Sequence, residues 1–271
     1  MSLLALCSLK AAPGVTTTAV ALGAVWPSER RVLVAELDPT GGDLASRFAL
    51  PLEPGLLTLA AALRRSRGEQ LVWRHCQRLA GGLAVLASPP ASGQASSALA
   101  APGVLDALVE VGGDVVADCG RLYPGSPARV VIRHAAVTVL IARPAVDEVE
   151  HLAGDLPAIA GDCPRLGLVV VGQGDYPASE IAAALGVELL GVLPRDPHGA
   201  AWLAGAPVKA WALRRSALVR AAWPLARTLT TRLPGGGEQA TPHASADGKP
   251  WPEVMAAPPN SSPARKPETR P

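Results

Sequence analysis

Residues Ser8-Leu9-Lys10-Ala11-Ala12-Pro13-Gly14-Val15-Thr16-Thr17-Thr18 join a short apolar run to a stretch rich in Thr and Ala. The run before them, Leu3–Leu6, reads as a buried strand, and Thr16–Val25 after them reads as a helix. A loop in that position aims backbone N–H groups and a helix N-terminus at whatever lies above it, which suits phosphate. The generic phosphate-loop pattern GxxxxGK[ST] is not matched, so the loop alone reads equally well as an ordinary strand–helix turn.

The same alternation continues outward. Aliphatic runs recur at Val32–Leu37, Leu83–Ala87, Val115–Ala117, Val137–Ile141, Leu166–Val171 and Leu189–Val192. Most do not alternate with polar residues, as expected of strands buried on both faces of a parallel sheet. Helical patterning separates them at Leu56–Arg65, Ala98–Val111, Val146–Ile159 and Ala178–Leu185. This spacing predicts an α/β fold, a doubly wound, mostly parallel sheet flanked by helices over residues 1–233. From 234 to 271 there are nine prolines, few aliphatics and equal numbers of acidic and basic residues. Such a segment buries too little apolar surface to offset ordering entropy and reads as a disordered Pro-rich tail.

Composition narrows the class. Of 271 residues, 49% are hydrophobic and only 3% aromatic by type, so the core must be built from Ala, Val and Leu. A net charge of +2 argues against a globally basic nucleic-acid coat. Cys7, Cys76, Cys119 and Cys163 are far apart with no CxxC pair, which suggests small buried hydrophobes in a reduced compartment. No apolar run is long enough to span a bilayer, and Met1-Ser2-Leu3-Leu4 lacks the basic stretch of a secretory signal. The expected location is the cytoplasm.

Four ordered segments together resemble the ParA/MinD superfamily of deviant Walker A P-loop ATPases, of the SIMIBI class. Lys10 falls on the signature lysine of Lys-Gly-Gly-x-Gly-Lys-Thr-Thr, Gly14 on its last glycine, and Thr16 and Thr17 on its hydroxyl pair. Val32–Pro39 resembles the second strand ending Asp-x-Asp-Pro, with Glu36 in place of the first Asp. Asp114–Asp118 resembles the Walker B strand, and Leu189–Asp196 the late strand whose Pro-x-Asp segment borders the adenine. The departures are Val15 for the P-loop lysine, Ala11-Ala12 for two glycines, and Pro13, which removes a backbone donor.

The resemblance implies ATP and Mg²⁺ as ligands. It gives Thr16 and, through water, Asp118 to the metal, Thr17 to the α-phosphate, and Pro194 and Asp196 to the base. Lys10 would reach a partner's phosphates in a homodimer, and Asp38 would position the attacking water. The lost amine at Val15 implies weak nucleotide binding with slow or absent hydrolysis. The implied function is a nucleotide-responsive spatial regulator. Its protein partner would belong to partition, division or pilus/secretion machinery, and the degenerate loop tilts towards CpaE/TadZ-like localisation factors. The alternatives that stay open are a nucleotide-free pseudo-ATPase scaffold, a true ATPase whose lysine is replaced functionally by Lys10 or an arginine, and a DNA-binding partition ATPase.

Between Asp196 and Glu238 no residue is acidic, yet Lys209, Arg214, Arg215, Arg220, Arg227 and Arg232 are present. Lys209, Arg220 and Arg227 fall on one helical face; Leu218, Val219, Leu225, Leu229 and Leu233 fall opposite. Pro224 is expected to break or kink this helix. The face reads as solvated charges on a packing helix, as non-specific contacts to DNA phosphates, or as contacts to an anionic membrane surface. The last two would place the protein at the nucleoid or membrane periphery.

Overall fold

The computed structural model describes residues 2–10, 13–27, 29–207 and 210–234; the side chains of Glu69, Ala210, Trp211 and Arg214 are outside that description. In chain order the elements are β1 (Ser2–Ser8), α1 (Val15–Ala24), β2 (Val32–Glu36), α2 (Leu44–Arg47), α3 (Leu56–Leu63), α4 (Glu69–His75), β3 (Gln77–Arg78), β4 (Ala84–Leu86), α5 (Ser92–Leu99), α6 (Val104–Val109), β5 (Asp114–Arg121), α7 (Arg129–His134), β6 (Val137–Ala142), α8 (Val146–Ala160), β7 (Leu166–Val171), α9 (Ala178–Leu185), β8 (Glu188–Leu193), α10 (Pro197–Trp202), α11 (Ala210–Arg215) and α12 (Ala217–Arg232).

The strands form one eight-stranded sheet in the order β3-β4-β2-β5-β1-β6-β7-β8. Every pairing is parallel except β3 with β4. All seven apolar runs read from the sequence form strands of this sheet. Strand β1 shows why its run does not alternate. Leu3, Ala5 and Cys7 enter one core layer, and Leu4 and Leu6 enter the other. Helices cover both faces, with α1 and α12 on the second of these layers. Burying each Leu of such a strand contributes roughly 1.5–3 kcal/mol.

The chain leaves β1 to the β5 side to form β2, then later returns past β1 to form β6. Connections therefore diverge at β1, and a crevice opens above its carboxyl end.

Three expectations are corrected. The helix expected over Ala98–Val111 is two, α5 and α6, because Pro102-Gly103 interrupts it and Gly103 takes a left-handed φ of 82°. The basic C-terminal helix is also two: Ser216 caps α12 by accepting from the Val219 N–H. Pro224, by contrast, does not end α12. Both Arg220 and Pro224 are exposed, so the carbonyl that proline leaves unpaired can be hydrated. The short β3 gave no apolar signal in the sequence. The Pro-rich tail beyond Pro234 is outside the described residues, as are Ala11, Ala12 and Lys209.

Candidate nucleotide site

Gly14 ends the loop after β1 and caps α1 in a left-handed conformation, φ 103° and ψ 37°. That conformation is the reason for glycine here, since an added Cβ would meet nothing closer than Thr17 Cβ at 4.0 Å. Val15 opens the helix and turns inward. It is 6% exposed and joins the core layer that holds Leu4 and Leu6. The position of the missing lysine is therefore an apolar plug. Thr16 and Thr17 are half-buried, and no side chain caps α1. Lys10, also half-buried, donates from Nζ to Nε2 of His151 on α8 at 2.9 Å.

The acidic side of the crevice is built by neighbouring strands. In register, Asp118 of β5 lies between Glu36 of β2 and Leu6 of β1. Asp118 is 1% exposed. Its Oδ1 accepts the Gly120 N–H at 3.0 Å, while Oδ2 has no hydrogen-bond partner. Burial pushes its carboxyl up to about 7; the Thr16 hydroxyl opposes this, and the Glu36 and Asp38 carboxylates add to it. Thr16 is thus close enough to temper the shift without making a well-formed bond to Oδ2. An orphaned, buried carboxylate oxygen beside a loop hydroxyl is a pair of hard oxygen donors that fits Mg²⁺.

Glu36 has another task. Its Oε1 accepts the N–H groups of Asp43 at 2.6 Å and Leu44 at 3.0 Å, and its Oε2 accepts that of Ser88 at 3.0 Å. Its extra methylene, relative to an Asp, lets it hold the start of α2 and the loop after β4 together. Burial raises its pKa, against those three N–H groups. Asp38 accepts the Thr40 N–H and hydroxyl through Oδ1 at 2.8 and 2.7 Å, forming a side-chain-closed turn.

Asp196 caps α10 by accepting the Gly199 N–H at 2.8 Å. Its other oxygen accepts the Ser216 hydroxyl at 2.8 Å and the Leu218 N–H at 3.3 Å. Burial opposes its charged form, yet these donors hold its pKa below the usual value. Its visible work is joining α10 to α12. Pro194, just after β8, is half-buried.

On α12, Leu218, Val219, Leu225 and Leu229 are buried, with Leu233 just beyond, as the packing reading requires. Arg215, Arg220 and Arg227 are exposed, and Arg227 lies 5.2 Å from the Trp223 ring centre. Arg232 pairs with Glu188. The Arg214 side chain is outside the described residues. No described helix is long and apolar enough to cross a membrane.

Sequence reasoning overlooked His151, Arg121 and the Arg143–Glu148 pair. Glu148 is 1% exposed and accepts both the Arg143 backbone N–H and Nε, fixing the turn into α8. None of these has a motif: topology brings His151 and Arg121 to the loop, and the Arg143–Glu148 pair closes a local turn.

This sheet order, with its phosphate-type loop at the point of divergence, is that of the P-loop nucleotide-binding α/β fold. Solved structures with this fold include a MinD and a ParA family ATPase. The chain is similar to the cell division ATPase MinD of Pyrococcus furiosus (20% identity, 84% of this chain and 98% of that one, TM-score 0.66). It is similar to a ParA family ATPase of Chlorobium tepidum (14%, 83% and 97%, TM-score 0.68). It is also similar to cobyrinic acid a,c-diamide synthase of Mycobacterium smegmatis with bound ATP analogue and magnesium (18%, 90% and 100%, TM-score 0.61). At these identities the likeness is one of fold. No family model and no curated protein matches the chain.

Proposed function

We propose that this protein is a ParA/MinD-like positioning factor: a dimeric switch that responds to ATP and Mg²⁺ and places a cellular machine through a protein partner. The observation that carries the reading is the orphaned Oδ2 of buried Asp118 beside Thr16, at the mouth of the loop. The fold shared with MinD and a ParA family ATPase supports it, as does the ATP analogue and magnesium held by the Mycobacterium synthase.

In this reading the Gly14 turn and the first amides of α1 receive the phosphates, Thr17 meets the α-phosphate, and Thr16 and Asp118 hold Mg²⁺. Bound magnesium supplies charge neutralisation at the phosphate oxygens. Asp38, fixed by Thr40, orients a water, and Pro194 with Asp196 borders the base. Val15 contributes no ammonium, so binding is weak and hydrolysis slow or absent. One lost charge-assisted contact costs roughly 1.5–3 kcal/mol, or about one to two decades in affinity.

The burial of Val15 favours a second reading, a nucleotide-free scaffold, because the core has absorbed the position that normally serves phosphate. The machine is a partition, division or pilus/secretion apparatus, and the expected location is the cytoplasm. Exposed Arg215, Arg220 and Arg227 offer a face for DNA phosphates, and less readily for membrane. Sedimentation with and without Mg-ATP separates the two main readings. A switch shifts towards dimer with Mg-ATP and loses the shift on Thr16→Ala; a scaffold sediments identically in both conditions.

A further inference from the structure

We infer that Arg121, at the end of β5, is the phosphate-binding cation that replaces the lysine lost at position 15; this rests on the nucleotide reading above. Val15 is buried and carries no charge. Loss of the amine removes attraction for terminal phosphates, so a site that still binds a triphosphate needs another cation at the loop mouth.

Three other cations of the loop and of the elements after β5 and β6 are already engaged by neighbouring side chains. Lys10 is engaged by His151. Arg143 is engaged by Glu148 through both its backbone N–H and Nε. Arg129 is held by Asp162. Arg121 stands opposite Ser8 in the β1–β5 register and donates from Nε to the Leu9 carbonyl at 3.2 Å, one residue before Lys10. Its terminal nitrogens make no hydrogen bond or ion pair with the described residues.

One end of the guanidinium is therefore fixed to the loop backbone, while the other keeps its donors for a ligand. Arginine suits this role because its planar fork can clamp one group with Nε and offer two more N–H pairs to phosphate oxygens. Arg121 follows Asp118 by three residues, so the acid that would hold the metal and the cation that would hold phosphate share one strand end.

The test is equilibrium binding of ATP, ADP and AMP with Mg²⁺ to the full chain and to Arg121→Gln and Arg121→Ala. Glutamine keeps an N–H donor for Leu9 but removes the charge. Both variants should bind ATP about ten- to hundred-fold more weakly, with a smaller loss for ADP and little change for AMP. Their melting temperatures without ligand should match wild type. Wild-type binding of ATP with no change in either variant overturns the role of Arg121 and leaves the nucleotide reading standing. An equal loss for all three nucleotides also overturns it, because that marks a loop-shaping residue. Failure of the wild type to bind any of the three overturns both.

Discussion

The Asp38 carboxylate rests against the backbone of Gly120: a Cβ on Gly120 would lie 1.8 Å from Asp38 Oδ2. Gly120 also has a left-handed φ of 58°. The residue two places after Asp118 thus leaves room for the acid that would orient water, and the loops after β2 and β5 fit together only with glycine there. Gly120→Ala should cost about 1–3 kcal/mol of stability in denaturant unfolding, from overpacking and backbone strain. In an Asp38→Ala background the same substitution should cost measurably less, because the clashing group is gone. Equal costs in both backgrounds would mean that Asp38 does not occupy this place.

Asp118 makes ligand-free stability pH-dependent. Its carboxyl has an ordinary value of 3.8 and is pushed up to about 7 in the fold, chiefly by burial. The fold therefore holds a proton that the unfolded chain gives up. This group favours folding most at low pH, and its contribution is lost as pH rises from about 4 to 7. Burial moves Glu36 in the same direction. Asp118→Asn removes the group's titration. At pH 8 without ligand the variant should be more stable than wild type by roughly 2–4 kcal/mol, and near pH 4 the two should converge. Parallel stability–pH curves would contradict a buried, unpaired Asp118.

Glu36 should prove structural. Glu36→Ala leaves the N–H groups of Asp43, Leu44 and Ser88 without their acceptor, a loss of roughly 3–5 kcal/mol by chemical denaturation. Glu36→Gln keeps an acceptor oxygen and should cost less. Similar, small losses for both would show that the clamp contributes little.

Helix α12 separates packing from surface chemistry. Leu229→Ala, at a site with 0% exposure, should cost about 2–5 kcal/mol. Reversing Arg220 and Arg227 should leave unfolding unchanged, since solvated charges contribute little. If these arginines meet DNA, the reversal lowers retention and flattens its salt dependence. If they meet an anionic membrane, vesicle binding falls instead. Undiminished binding to both would remove this face from the functional account.

Most of the sheet was legible because its inner strands are buried on both faces. Leu166–Val171 and Val137–Ile141 need no partner to be recognised and match β7 and β6 to within a residue, whereas Val115–Ala117 stops four residues short of the end of β5. Helix breaks were less legible: patterning continued across Pro102-Gly103, and Pro224 read as a break or kink although α12 runs through it. In the site, residues of one contiguous loop were readable. Interactions across strand order were not, because Lys10 with His151, or Arg121 with Leu9, arise from topology rather than spacing. The sequence also showed that Val15 had lost an amine, but not that the core had taken the position over.

The central claim is that this loop and Asp118 together bind a nucleotide with its metal. Titration of the wild-type chain with ATP, with and without Mg²⁺, tests it most directly, with Thr16→Ala and Val15→Lys alongside. The account predicts saturable, Mg²⁺-dependent binding that Thr16→Ala weakens. Val15→Lys should strengthen it by about 1.5–3 kcal/mol if the new amine leaves the core for the phosphates, while lowering stability through lost burial. No binding by wild type or Val15→Lys at millimolar ATP would contradict the account and leave the fold as a nucleotide-free scaffold.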